Sequence, residues 1–165
     1  MRFTATSFLL AASISGCAAI GPSDSPEGLQ LVARAVPNED SPIRYSGSGN
    51  WFPSVQGFTA MRRSMFAPVA DPIVGALVIT DTALLFERWD DATKRFDVMK
   101  RIPWSEISEV TLDTYGLARR LVLRSKDLTY QSFDFTRSSG NAVDGAKVEA
   151  AVKYLRGRGV TPPAE

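Results

Sequence analysis

The stretch Gly75-Ala76-Leu77-Val78-Ile79-Thr80-Asp81-Thr82-Ala83-Leu84-Leu85-Phe86 decides how the rest of the chain is read. Val74 to Thr80 reads as a strand that is apolar on both faces. Asp81-Thr82 is a tight turn, and Ala83 to Trp89 is the returning arm of a hairpin.

Downstream, short apolar runs keep alternating with turn signals, the pattern of an antiparallel β domain. Asp90 to Thr93 forms the next turn. Across Lys94 to Ile102, Phe96, Val98 and Ile102 point one way and Arg95, Asp97 and Arg101 the other, until Pro103 ends the strand. Trp104 to Val110 begins as a turn and enters a strand through Leu112, and Tyr115-Gly116 is a loop. Arg119, Leu121 and Leu123 alternate with Arg120, Val122 and Arg124. Ser125-Lys126-Asp127 then turns the chain into a last strand ending at Phe135. Asn141 is read as a helix N-cap with Asp144 in the first turn. Val148, Ala151, Val152 and Leu155 recur at helical spacing, and Gly157 and Gly159 stop the helix. Its stripe is narrow, which favours packing on the sheet over lying on a membrane.

Upstream, Phe58 to Phe66 alternates poorly and is taken as a first strand. From Ala18 to about Gly57 the composition shifts to Gly21-Pro22-Ser23-Asp24-Ser25-Pro26, Pro37-Asn38-Glu39-Asp40 and Ser46-Gly47-Ser48-Gly49-Asn50. Such stretches bury little apolar surface, so the segment is expected to be an extended tether. Leu29 to Val36 is its one candidate strand or helical turn, and Trp51, Phe52 and Phe58 are expected to pack on the domain's edge.

The chain opens with one basic residue, a short apolar run and small residues, the layout of a secretory signal. Ile14-Ser15-Gly16-Cys17 resembles the lipobox of bacterial lipoproteins. That resemblance implies cleavage between Gly16 and Cys17, diacylation of the Cys17 thiol and a membrane anchor. Ala18 after the cysteine implies the outer membrane, facing the periplasm. The expected layout is a signal peptide over 1–16, a lipid-anchored tether over 17–56, a folded domain over 57–159 and a disordered tail over 160–165.

A second resemblance rests on the opening hairpin, Gly75 to Phe86, and on Ile102-Pro103-Trp104-Ser105-Glu106-Ile107-Ser108-Glu109-Val110. Both are similar to segments of the pleckstrin-homology-like superfold, in its GRAM and bacterial PH branches. It implies a mainly β fold with one C-terminal α-helix, an antiparallel barrel capped by that helix. The basic cluster of phosphoinositide-binding members is not recognisable, so the resemblance brings no binding residues with it.

The 165 residues carry 19 basic and 18 acidic side chains, a balance that argues against a nucleic-acid partner. The chain has no histidine, which excludes His-based triads and the commonest metal-ligand sets. No cofactor or metal is expected. Arg62-Arg63 and Arg119-Arg120, with Lys94-Arg95 and Lys100-Arg101, are the cations that could meet lipid phosphates or an acidic partner if gathered at a barrel mouth. Glu87, Asp90, Asp91 and Asp97 dilute that field, and alternating charges equally suit solvated strand faces. Asp90, Asp91 and Asp97 lack the spacing and glycine of a calcium loop. The function expected is a non-enzymatic, lipid-anchored module that binds an envelope protein or peptide or supports an envelope complex. The alternative is a carrier of lipid or a small apolar ligand, and a third reading is an enzyme working through carboxylates such as Asp97 and Glu106. A chain cut at Gly57 is expected to fold.

Overall fold

The hairpin centred on Asp81-Thr82 lies in the middle of one half of an antiparallel sheet. The structure is a computed structural model that describes residues 21–53, 72–115, 118–137 and 142–159. In chain order the elements are α1 (Pro26–Ala35), β1 (Ile43–Phe52), β2 (Ile73–Thr80), β3 (Ala83–Asp90), β4 (Arg95–Pro103), β5 (Ile107–Tyr115), β6 (Ala118–Ser125), β7 (Tyr130–Arg137), β8 (Ala142–Val143) and α2 (Gly145–Gly157). The sheet runs β4-β3-β2-β1-β7-β6-β5, with β8 paired to β7. The fold is mainly β with a C-terminal helix.

Strand β1 joins the halves. It pairs with β2 from Ile43 to Trp51 and with β7 from Gly49 to Phe52. Between Tyr45 and Trp51 its inner face is bare: a Cβ at Gly49 would stand 2.4 Å from the Asp134 carbonyl oxygen, and one at Gly75 opposite would stand 2.2 Å from that of Glu87. These two positions take no side chain because neighbouring backbone occupies the space. Where β1 has left β7, α2 takes over its edge. Lys147 Nζ donates to the Ser46 carbonyl at 2.6 Å and Tyr45 Oη to that of Ala150 at 3.3 Å.

The inner faces of the two halves and α2 share one core. Leu77, Ile79, Leu84 and Phe86 meet Leu121, Leu123, Phe133 and Phe135, and Val148, Ala151, Val152 and Leu155 close over them. Trp51 bridges the halves, its ring 5.8 Å from Phe86 and 6.4 Å from Phe133. Each fully buried aromatic or leucine contributes about 1.5–3 kcal/mol. A second layer explains why β2 and β3 are apolar on both faces. Val32 of α1, with Leu31, Ala35 and Val36, covers Ala76, Val78, Ala83, Leu85 and Phe96 on the outer side.

The six strands expected from Val74 to Phe135 are present as β2 to β7. The strand expected over Phe58 to Phe66 lies outside the described residues. Other expectations are corrected. The segment 17–56 is not a plain tether, because its described part contains α1 and the joining strand β1. Gly49 is a strand residue here because β2 and β7 pair with both of its backbone edges and neighbouring backbone fills the space of a side chain. The sheet is not a closed barrel: its end strands β4 and β5 do not pair. Pro103 has no N–H to give, and the 3-10 turn Trp104–Glu106 that follows spends its polar groups elsewhere. Trp104 N donates to the Thr82 carbonyl and Trp104 Nε1 to that of Thr80, while Glu106 O accepts from Lys126 N. Phe96 and Ile102 do not share a face. A bulge between Phe86/Lys100 and Glu87/Val98 sends Ile102 into the inner core and Phe96 under α1. The N-cap of α2 is Asp144, which accepts from Lys147 N, and Asn141 lies outside the described residues.

Candidate functional site

Two regions hold polar groups in places a structural sheet would fill with apolar ones. The first is a cleft of about 400 Å³ between the end strand β4 and the turn that joins β6 to β7. Lys100 and Ile102 of β4 line one side, Glu106 the corner, and Lys126, Asp127 and Gln131 the other side. Gln131 Oε1 is buried there without a partner. Asp127 is committed to its own turn, accepting from Thr129 N and Oγ1, and Arg101 is committed to Asp40. Lys100, Lys126 and Glu106 remain to meet a ligand. The lining is mixed in charge, suited to a polar peptide surface more than to an acyl chain.

The second region is a polar band on the outer sheet face. Ser48 and Asn50 of β1, Glu87 of β3, and Ser132, Asp134 and Thr136 of β7 are all buried. Strand alternation puts them there: on β1 and β7 the odd positions Trp51, Phe133 and Phe135 fill the inner core, so the even positions face outward. Asn50 Nδ2 donates to Asp134 Oδ1 at 2.9 Å, and Arg120 Nε lies 3.9 Å from Asp134 Oδ2 with its guanidinium 3.8 Å from the Phe52 ring centroid. Burial lifts the Asp134 carboxyl to about 6, less than burial alone would, since Asn50 and Arg120 favour the charged form. Burial alone lifts Glu87 to about 8, and neither of its oxygens has a hydrogen-bond partner. Ser23 and Ser48 are hydrogen-bonded to each other above the same band. Carboxyls shifted in this way are what catalytic acids look like, yet both are enclosed and neither lines the cleft.

The residues singled out in the sequence fare differently. Cys17, Gly16, Arg62 and Arg63 lie outside the described residues. Arg119 and Arg120 are not one basic patch: successive strand residues face opposite ways, Arg119 pairing with Glu149 of α2 and Arg120 lying on Phe52 near Asp134. Lys94 pairs with Asp91, Arg95 with Asp97 and Arg101 with Asp40. Asp90 closes its turn by accepting from Ala92 N and Thr93 Oγ1. Glu87 was legible as an oddity, a lone charge in register with Ala83, Leu85 and Trp89. Asn50 was hidden in a linker-like stretch.

No family model matches the chain, and no curated protein does. Among solved structures, the hSac2 domain from the human phosphoinositide phosphatase Sac2 is similar over 84% of this chain and 86% of its own, at 12% identity and a TM-score of 0.45. At that level nothing in the name of that protein transfers to this one. Among the described residues, no helix is long and apolar enough to cross a membrane.

Proposed function

We propose that the protein is a lipid-anchored, non-enzymatic binding module of the bacterial cell envelope. In this reading a PH-like domain, held to the outer membrane through acylated Cys17, takes a protein or peptide segment at the open side of its sheet. The strand order with a C-terminal helix over the core agrees with the PH-like resemblance. The observation that carries the binding site is the cleft between the end strand β4 and the turn joining β6 to β7, where two lysines and an unpartnered amide oxygen stand together. The carrier alternative is less well supported, because Phe86, Phe133, Phe135 and the surrounding leucines fill the space between the halves.

The test is photo-crosslinking of the full lipidated chain in its native membrane, with the reactive residue at Lys100 or, as control, at exposed Lys153 of α2. A defined envelope protein captured from Lys100 and not from Lys153 supports the reading. A lipid that co-purifies in stoichiometric amount, with no crosslink, replaces it with the carrier.

A further inference from the structure

Among the described residues, Glu87 is a carboxyl group placed where a charge has no counterpart. Its side chain is fully buried and both oxygens lack hydrogen bonds. It stands on the outer face of β3 between Leu85 and Trp89, opposite Ala76 of β2 and Val98 of β4. The segment that leads into α1 crosses this face on both sides of it. Gly21 packs on Trp89, a Cβ there standing 2.8 Å from that side chain, and Ser23 is hydrogen-bonded to Ser48, the partner of Ala76 on β1. Farther along, Val32 of α1 seats on the layer that holds Val78 and Leu85. The charged groups on the surrounding elements are Asp24, Glu27 and Arg34 on the covering segment, Arg88 and Asp90 on β3, and Arg95, Asp97, Lys100 and Arg101 on β4, with Arg120 and Asp134 across the sheet. None of them pairs with Glu87, and Arg95 is held by Asp97.

We propose that Glu87 is a proton-controlled latch for the segment 21–36: neutral, it lets the turn and α1 seat on the sheet, and ionised, it releases them and uncovers the apolar outer face of β2, β3 and β4. A neutral buried carboxyl lacks only its hydrogen bonds, whereas an ionised one must regain water. On the inner side lies the main core, so the route to water runs through the thin outer cover. In the seated state burial holds the carboxyl at about 8, against 4.5 when it is hydrated. Release is therefore favoured about tenfold per pH unit across that interval and levels off above it. The reading stands on this geometry and is independent of the partner proposed for the cleft.

Hydrogen exchange read by mass spectrometry tests it on the full chain, from about pH 5 to about pH 9, in the wild type, Glu87→Gln and Glu87→Leu. After correction for intrinsic exchange, wild-type protection within 21–36 falls about tenfold per pH unit and flattens above about pH 8. It stays below the protection of β6 and β7 at every pH, and in both variants it does not change with pH. Three results overturn the latch: wild-type protection that ignores pH, the same fall in both variants, or protection of 21–36 equal to that of β6 and β7, which makes the segment part of one cooperative unit.

Discussion

Replacing Asp134 by asparagine should stabilise the protein at neutral pH, although it removes the carboxylate beside Arg120. The carboxyl is 1% exposed and titrates at about 6 instead of 3.8. A folded-state value above the unfolded one means that the neutral form suits the fold. Stability is then full below pH 3.8, falls as pH rises toward 6 and is level beyond. That interval corresponds to about 3 kcal/mol lost by pH 7. Asparagine keeps the oxygen that accepts from Asn50 and cannot ionise, so it avoids this loss. Its Nδ2 replaces the oxygen that lies 3.9 Å from Arg120 Nε, donor facing donor, at a cost of about 1 kcal/mol. The net expectation is a gain of about 1–2 kcal/mol at pH 7 and a small loss near pH 4. Urea unfolding of both proteins at the two pH values reads it directly. A variant less stable than wild type at pH 7 would refute the reasoning. Attraction between Arg120 and the carboxylate would then exceed the cost of burying it.

Three further outcomes are expected. Asp40 is buried under bidentate bonds from Arg101 at 2.7 Å and one from Thr82 Oγ1 at 2.6 Å, chiefly Arg101 holding its carboxyl below the usual range. Asp40→Asn should cost about 1–2 kcal/mol at pH 7; because a lowered value stabilises above pH 3.8 and fades in stronger acid, thermal melts of variant and wild type should converge there. Gly49→Ala should cost about 1–3 kcal/mol by urea midpoint, its methyl meeting the Asp134 carbonyl, whereas Gly157→Ala, with nothing within 4 Å, should be neutral or stabilising. A chain cut at Gly57 should give a molten or aggregating product without near-ultraviolet dichroism, since it lacks β1, whose removal bares edges of both β2 and β7.

Strands β2 to β7 were legible because their apolar runs are bounded by turn residues whose local chemistry holds in the fold. Asp90 and Asp127 both close the turns they mark. The stripe of α2 was legible for the same reason, Val148, Ala151, Val152 and Leu155 all being buried. What failed was reading composition as conformation. Ser46-Gly47-Ser48-Gly49-Asn50 resembles a linker by its residues alone, and becomes a strand only because β2 and β7 claim its backbone, a long-range fact. The signal for α1 was present. Ser25 caps it by accepting from Gly28 N, with Pro26 and Glu27 opening the first turn and Arg34 closing the last. It was outweighed by the low apolar content, of which Val32 alone is fully buried. The bulge beside Phe86 had no sequence mark, and it moved Phe96 to another layer.

The polar band follows from the same strand. Where its inner positions are Gly47 and Gly49, the joining strand offers side chains only outward, and Ser48 and Asn50 are small enough to lie beneath the entry to α1. Their polarity gives Asp134 a partner and leaves Glu87, two strands away from Ser48 across Ala76, without one. Asp134, partly compensated, titrates at about 6 and Glu87, uncompensated, at about 8. The difference in partners thus orders the two events on one face. As pH rises, charge first appears over β7, where Asn50 and Arg120 can hold it, and only later over β3, where no described group pairs with it. A single titration of the outer face followed by carboxyl-selective NMR should therefore show two separated steps, the lower one abolished by Asp134→Asn and the upper by Glu87→Gln. If the upper step survives Glu87→Gln, another group titrates there and the assignment to Glu87 fails.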